Sequence, residues 1–294
     1  MGSYMNFIDF RAIQLADLAI SIGDNQVALQ NYRKAYYRLQ KYQGDSMVAI
    51  QMGADLARKV KALSNQSGSY SILKFDRWQL TKSSFVQGNQ CLKQLWLQKH
   101  KRDKKTPPSQ ETLEKFKAGH KFEDHVREIA FPGGVDIKEK VGNFAYFNSY
   151  TNYLINNNGP QTLYESTFIE DGVLVMCDVL VKNSDGLLDI YEIKNSNQLI
   201  PVFLEDMALQ YAVVKKRFGD KLKSFNAILN DSSDEMNYRI ENVTHILEDM
   251  QYDVLSKIKH YKKVLHNSEP KVPMGEHCRT PYECQFMDYC KNLK

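Results

Sequence analysis

Three charged side chains interrupt two apolar runs in the middle of the chain, and they are Asp178, Glu192 and Lys194. The runs are joined at residues 183–186 by Asn-Ser-Asp-Gly, a turn-forming sequence typical of a β-hairpin. Because side chains alternate across a strand, Glu192 and Lys194 should point to the same face, and hairpin pairing can bring Asp178 opposite them. The sequence therefore predicts two acids and a lysine grouped inside a sheet.

Two carboxylates inside a sheet need a cation, because an unpaired buried charge is costly. A hard divalent ion supplies one and accepts oxygen ligands. Lys194 would then orient a water molecule or stabilise a developing negative charge. The structural alternative is a strand pair with an ion pair between Lys194 and one acid. The ordered Asp and Glu-x-Lys series within one hairpin favours the metal site.

The same series resembles the PD-(D/E)XK nuclease superfamily, with Asp178 as its aspartate and Glu192-Ile193-Lys194 as its E-x-K. Cys177 stands where the superfamily name has proline, a position that varies and carries no chemistry. The resemblance implies an α/β (α+β) fold in which helices flank a central mixed β-sheet of the restriction-endonuclease type. It also implies a deoxyribonuclease that depends on Mg²⁺ or Mn²⁺ and hydrolyses phosphodiester bonds.

Apolar residues at helical spacing predict an amphipathic helix over residues 111–130. The side chains expected on its apolar face are Leu113, Phe116, Phe122, Val126 and Ile129. Taken alone, this pattern leaves Glu123 as an ordinary solvent-facing charge.

RecB-like nucleases carry a glycine on such a helix, followed four residues later by a metal-binding histidine or glutamate. The resemblance identifies Gly119 as the glycine and Glu123 as the metal ligand, with His120 as a competing ligand one helical turn away. The other protein ligands that it implies are Asp178, Glu192 and the main-chain carbonyl of Ile193.

Two further residues match positions of RecB-like chains. A strand is predicted over residues 162–168 and carries Glu165, where these chains often place a glutamate; the alternative is a charged residue on an edge strand. A helix predicted over residues 199–218 carries Gln210, where they have a glutamine near the DNA and the active site. The catalytic residues implied by the resemblance are Asp178, Glu192, Lys194, Gln210 and Glu165.

Three of the five cysteines lie close together at the end of the sequence, at 278, 284 and 290. In a cytosolic protein such crowding indicates a metal site before disulfides. Three thiolates need a fourth ligand, and Cys91 is the natural candidate, with His277 as an alternative for zinc. Both zinc and an iron–sulfur cluster fit four such ligands.

One cysteine before the nuclease motifs and three after them is a layout similar to that of the RecB-like iron–sulfur nucleases, which include CRISPR-associated exonucleases and AddB-type nucleases. The resemblance implies a [4Fe-4S] cluster that staples together the two ends of the nuclease domain, with zinc as the alternative. Its ligands would be Cys91, Cys278, Cys284 and Cys290.

Helical periodicity in residues 6–66 predicts a bundle of three helices before the nuclease motifs. The spacing of small and aromatic residues from Gly23 to Ala35 resembles a tetratricopeptide hairpin or the microtubule-interacting-and-transport bundle. A single unit cannot form a solenoid, so these helices either cap the main domain or bind a protein partner. A linker is predicted at residues 65–69, which divides the chain into a helical bundle (1–68) and a nuclease domain (73–294).

The overall composition fits a globular protein, with 294 residues, 43% of them hydrophobic, and a formal net charge of +4. We expect a cytoplasmic protein without a membrane segment, because no apolar run approaches the length a bilayer requires. A basic run predicts phosphate contacts beside a nuclease site, although such a run by itself is most often a solvated loop. The basic residues in question are Lys99, Lys101, Arg102 and Lys104.

The sequence thus favours a metal-dependent DNA nuclease that acts in DNA repair or in antiviral defence against foreign DNA. Of the two kinds of nuclease, it favours an exonuclease. The alternative from another class is a non-catalytic adaptor that grips nucleic acid and recruits a partner through its N-terminal helices.

Overall fold

In the computed structural model of the chain, the described residues are 4–64, 78–141, 144–157, 159–231 and 234–292. They form two compact units. The first contains Met1–Phe75 and Asn143–Tyr153, and the second contains Asp76–Gly142 and Leu154–Lys294. The predicted linker at 65–69 lies outside the described residues.

The first unit contains three helices in the region where periodicity predicted them. Asp9 and Asp24 begin the first two, because each carboxylate accepts a hydrogen bond from the main-chain amide three residues later. Alanines such as Ala16 and Ala28 are fully buried between the helices, which explains their regular spacing in the sequence. The helices are α1 (Phe10–Ser21), α2 (Asn25–Leu39) and α3 (Met47–Ser64).

Of the remaining α-helices and strands, all but one lie wholly in the second unit. The exception is α8, which begins in the first unit. In chain order they are β1 (Leu80–Thr81), α4 (Lys82–Gln90), α5 (Leu92–His100), α6 (Gln110–Ala130), β2 (Val135–Asp136), α7 (Ile137–Val141), α8 (Phe147–Asn157), β3 (Gln161–Glu170), β4 (Val173–Lys182), β5 (Leu188–Lys194), α9 (Pro201–Phe218), β6 (Leu222–Asp231), β7 (Asp234–Asn242), α10 (Thr244–Asp249), α11 (Gln251–His266) and α12 (Met287–Lys291).

Seven strands of the described residues form one open mixed sheet, in the order β2-β3-β4-β5-β6-β7, with β1 pairing to β4. The β3–β4 pair and the β4–β5 pair are antiparallel, which confirms the predicted hairpin and the strand before it. Strand β6 lies parallel to β5, since α9 carries the chain back between them. The protein is therefore of mixed α/β class. No helix in the described part of the chain is long and apolar enough to cross a bilayer.

Helix α6 packs on one face of the sheet through its C-terminal half. Phe122 and Val126 join the strand residues Val179, Ile193 and Ile228 in one apolar cluster. The expected apolar face was wrong in three places, where the side chains are exposed to solvent. They are Leu113 (40% exposed), Phe116 (57%) and Ile129 (60%).

Strand β4 changes neighbours along its length, and this change creates the space for a site. Its last residues, 179–182, pair with β5, whereas its first two pair with β1. Between these pairings, residues 175–178 have no ladder partner on that edge among the described strands. Asp178 therefore lies at a fork, with the end of β5 on one side and the end of β1 on the other.

Candidate active site

Three acidic residues, Glu165, Asp178 and Glu192, occupy neighbouring register positions on three adjacent strands. The β3–β4 ladder keeps the same register on both sides of Glu165, which places Glu165 opposite Asp178. The β4–β5 ladder ends at Val179 and Tyr191, one step before Asp178 and Glu192 would meet. The strands thus bring together acids that are far apart in sequence.

At the fork, the side chain of Asp178 replaces a main-chain hydrogen bond that the β4–β5 ladder no longer forms. Its Oδ2 accepts a hydrogen bond from the amide of Ile193 over 2.7 Å. Burial raises the pKa of Asp178 well above its usual range, and the negative charge of Glu192 raises it further, against the opposing charges of Lys82 and Lys194. The site therefore disfavours a charged Asp178 unless another cation is added.

Glu192 is the centre of a four-membered ion-pair network. Its Oε1 accepts hydrogen bonds from Lys82 Nζ and from Lys194 Nζ, each over 2.7 Å. Lys194 also donates to Asp206 Oδ2 over 2.6 Å, and Lys82 Nζ lies 3.7 Å from the same oxygen. The ion pair of the structural alternative is thus present, in a larger arrangement than the hairpin alone suggested.

Burial and charge act in opposite directions on this network. Burial opposes the charged form of Glu192, but Lys194 and Lys82 outweigh it and lower the pKa of Glu192 to about 2. Burial likewise disfavours the Lys194 ammonium, yet Asp206 and Glu192 raise its pKa above the ordinary lysine value. Both lysines are therefore cations at neutral pH, because the pKa of Lys82 is also raised once Asp206 and Glu192 outweigh its desolvation.

Two oxygens of the network have no hydrogen-bond donor among the described residues. They are Oε2 of Glu192, whose residue is 1% exposed, and Oδ1 of Asp206, whose residue is 7% exposed. Buried carboxylate oxygens in folded proteins are normally satisfied, so two such atoms in one network call for a ligand. An oxygen-seeking cation fits this donor set.

The sequence analysis missed Lys82 and Asp206. Lys82 is the first residue of α4, which Thr81 and Ser84 begin with a reciprocal capping box. Asp206 lies on α9, one turn before the predicted Gln210, so helical spacing from Gln210 was a signal for it. For Lys82 the cap predicts only where a helix starts, and no local signal connects that start to Glu192.

Gln210 is fully buried, and within the described part of the chain neither its amide nitrogen nor its amide oxygen has a hydrogen-bond partner. A buried amide without partners lowers the stability of the folded protein. Packing therefore gives no reason for a glutamine at this position, on the same helix face as Asp206. Such a group is available to a ligand.

A second ion-pair network surrounds Arg127 on α6, a residue that the sequence analysis did not single out. Arg127 is 9% exposed and pairs with Glu123 and, over 3.1 Å, with Glu165, while also donating to the main-chain carbonyl of Asp178 over 3.2 Å. Lys138 donates to the same Glu165 oxygen over 2.6 Å. The predicted residues Glu123 and Glu165 are thus held next to Asp178 through Arg127.

Glu165 and Glu123 both show signs of constraint. Glu165 adopts a φ of 56°, a left-handed conformation that costs energy for a residue with a side chain. Burial raises the pKa of Glu123, with Arg127 opposing the shift and the charges of Glu165 and Glu192 adding to it. His120 lies 3.8 Å from Glu123 through its Nδ1, but its side chain is 75% exposed. Of the two competing ligands, Glu123 is the one directed toward the other acids.

The four predicted cluster cysteines line a single cavity. Cys91 immediately precedes α5, Cys278 ends a short 3-10 turn, Cys284 lies between that turn and α12, and Cys290 lies on α12. Burial, and to a lesser extent the other three sulfurs, raises the pKa of the Cys284 thiol to about 11. As they stand, no three His, Cys, Asp or Glu side chains of the described residues are arranged to hold a metal ion. Cys177 is not part of this lining and is buried on β4.

Helix α4 connects the cavity to the ion-pair network. Lys82 begins this helix, and Gln90 ends it immediately before Cys91. The side-chain amide of Gln90 donates to the main-chain carbonyls of His277 over 2.7 Å and Tyr282 over 2.6 Å. The cysteine-bearing C-terminal segment is thus fastened to the helix that carries Lys82.

Two members of the predicted phosphate-binding run form ion pairs. Lys101 donates to Glu269 over 2.9 Å and to Tyr289, beside the cysteine cavity. Lys104 pairs with Asp103 at 3.2 Å. Lys99, Arg102 and Lys104 are exposed, so these three members of the run face solvent.

Compared with known proteins, the chain matches no protein-family model and no curated protein.

Proposed function

We propose that the protein is a metal-dependent DNA nuclease of the PD-(D/E)XK superfamily, similar to the RecB-like iron–sulfur branch, and that it acts as an exonuclease. The observation that carries the proposal is the pair of unpaired buried oxygens, Glu192 Oε2 and Asp206 Oδ1, next to Asp178 and Lys194. A phosphodiesterase of this class needs acidic side chains that bind a metal cation and an ammonium group beside them.

The donor set fits Mg²⁺ or Mn²⁺, which prefer carboxylate and carbonyl oxygens. Asp178, Glu192, Glu123 and the carbonyl of Ile193 would hold the ion. When bound, the ion would lower the pKa of a water molecule and neutralise charge on the phosphate. The raised pKa of Asp178 supports this reading, because an added cation would favour its charged form.

The protein's own groups position the reactants. Lys194 is held by Glu192 and Asp206, so its ammonium has a fixed position. Because its pKa is raised, Lys194 donates hydrogen bonds at neutral pH; it orients the attacking water or stabilises the negative charge that develops. Gln210 is free to hydrogen-bond the substrate, and Arg127 fixes Glu123 and Glu165 beside the reacting centre.

The cysteine cavity would hold a [4Fe-4S] cluster, with zinc as the alternative. Its four sulfurs come from the beginning and the end of the second unit, so the cluster would fasten these two segments of the chain together.

Lys99 and Arg102 would contact the DNA backbone. In this reading the sheet is of the restriction-endonuclease type, the three N-terminal helices bind a protein partner, and DNA repair and antiviral defence are the pathways that fit.

The decisive experiment is cleavage of end-labelled single- and double-stranded DNA by anaerobically purified protein with Mn²⁺. We expect the wild type to cut and Asp178→Ala and Lys194→Ala to be inactive, with losses of at least about 10³-fold. The product ladder distinguishes an exonuclease from an endonuclease. Unchanged cleavage by either variant would remove that residue from the mechanism.

One observation favours the adaptor as a second candidate. Lys82 and Lys194 already balance the charges of Glu192 and Asp206 without any added ion. A protein that only grips nucleic acid would keep this balanced network. The adaptor moves ahead if folded, cluster-loaded protein cuts no DNA with any divalent metal and instead captures a stoichiometric partner through residues 6–66.

A further inference from the structure

Two lysines converge on one carboxylate oxygen, although the Glu-x-Lys series accounts for only one of them. Lys82 and Lys194 each donate to Glu192 Oε1 over 2.7 Å, yet they arrive from different elements, α4 and β5. Lys194 has a second close partner in Asp206 at 2.6 Å, whereas Lys82 lies 3.7 Å from that oxygen. Lys82 is therefore the more loosely held cation.

We propose that Lys82 is a second catalytic lysine, which rests on Glu192 while the site is free of metal and contacts a non-bridging oxygen of the scissile phosphate once a divalent ion binds Glu192. This inference rests on the proposed nuclease function and names an additional residue of the same site.

The charge balance supports the movement of Lys82. Two ammonium groups and two carboxylates neutralise one another in the network. A divalent cation at Glu192 would add two positive charges and repel whichever ammonium is less tightly held. Lys194 keeps Asp206 as a partner, so Lys82 is the group that must find a new anion. The phosphate of the substrate is that anion.

The position of Lys82 also suits a phosphate. Its side chain is 26% exposed, compared with 17% for Lys194, so it is the more accessible of the two. It stands at the first residue of α4, where the positive end of the helix dipole also favours an anion. A lysine is a flexible point charge and can reach the phosphate by rotating its side chain.

The test compares Lys82→Met with Lys82→Arg and with a matched control, Lys216→Met, which removes a surface lysine paired with Asp171. Two quantities are measured: the affinity of the DNA-free protein for Mn²⁺ by calorimetry, and kcat and KM for cleavage of a short labelled duplex. We expect Lys82→Met to bind Mn²⁺ about tenfold more tightly, because a competing cation is removed. We expect the same variant to lose about 100-fold in kcat, because a contact to the charged transition state is removed.

These opposite changes distinguish a catalytic lysine from a structural one, which would weaken both properties together. Lys82→Arg should retain part of kcat, and Lys216→Met should match the wild type. If Lys82→Met does not fold, Lys82→Gln, which keeps a donor for Glu192, carries the same comparison. A wild-type kcat in the methionine or glutamine variant would overturn the inference while leaving the nuclease intact. A wild type that cuts no DNA would overturn the proposed function itself, and with it the role of Lys82.

Discussion

The main-chain amide of Ile193 donates a hydrogen bond to Oδ2 of Asp178 over 2.7 Å, at the point where β5 separates from β4. The bond takes the place of a strand–strand bond and leaves an aspartate in a site that disfavours its charge. Because this charge is unfavourable, the protonation of Asp178 should change the stability of the folded protein, and that change can be measured.

Asp178→Asn should stabilise the metal-free protein at neutral pH. The amide oxygen of asparagine can still accept the bond from Ile193, while the unfavourable charge is removed. Because the folded-state pKa of Asp178 is raised, by burial first and by Glu192 second, the wild type loses stability as pH rises above its unfolded value, about 3.9 for an aspartate. In EDTA, the free energy of unfolding should therefore decrease less for the variant than for the wild type between pH 4 and pH 8.

The control for this prediction is the addition of Mn²⁺. The wild type should gain melting temperature on addition of the ion, and Asp178→Asn should gain little. Equal melting curves for the two proteins in EDTA would contradict the assignment of a destabilising charge to Asp178.

Glu192 should dominate the response of stability to acid. Its folded-state pKa of about 2 lies below the value of about 4.3 for an unfolded glutamate, so its contribution is present above the unfolded value and is lost as pH falls toward 2. The shift corresponds to roughly 3 kcal/mol at neutral pH. Denaturant unfolding should compare the single variant Asp178→Asn with the double variant that also carries Glu192→Gln. Their free energies of unfolding should differ by this amount at pH 7 and by almost nothing near pH 2. A difference that does not depend on pH would mean that the two lysines do not stabilise the charge of Glu192.

Arg127 should be the most sensitive residue of α6. Arg127→Met leaves Glu123 and Glu165 without their buried cation, which should cost about 3–5 kcal/mol in unfolding free energy. Lys138→Met is the matched control, because Lys138 pairs with the same Glu165 oxygen but is 50% exposed, and its loss should cost less than about 1 kcal/mol. Similar losses for the two variants, measured by urea unfolding, would show that burial does not decide the strength of this network.

The cysteines divide into four that should bind the cluster and one that should not. Serine substitutions at 91, 278, 284 and 290 should each reduce the iron and sulfide content and the visible absorbance of anaerobically purified protein. Cys177→Ser should retain them, because Cys177 does not line the cavity. Stoichiometric zinc without iron in the wild type would select the zinc alternative, and full iron loading of all four variants would exclude these cysteines as ligands.

Gln210 should matter for cleavage and not for stability. Its buried amide has no hydrogen-bond partner in the portion of the chain that the structure describes. Gln210→Leu therefore removes a desolvated polar group at similar volume and should leave the unfolding free energy unchanged or higher. The same variant should lose about 10- to 100-fold in kcat/KM, since the amide is expected to bind substrate. A variant that is less stable by more than about 2 kcal/mol would show that the amide has a structural partner.

The sequence by itself determined the local elements and several of the chemical groups. Alternation along the strands correctly placed Glu192 and Lys194 on one face, and the turn at 183–186 predicted the hairpin that carries Asp178. Helical spacing predicted α6 and α9, because the period of apolar residues is a local property of the chain. It could not predict which part of α6 would meet the sheet, and so Leu113, Phe116 and Ile129 were assigned wrongly to a buried face.

Only the tertiary structure decided which cations meet the acids. Lys82 reaches Glu192 from 110 residues away because the two-residue strand β1 pairs in parallel with the start of β4, and that pairing leaves no pattern in the sequence around Lys82. Asp206 joins the same network because α9 crosses from β5 to β6 over one face of the sheet, and Arg127 becomes buried because α6 covers the other. The physical reason is that an ion pair depends on distance in space, whereas periodicity records only the elements to which its members belong.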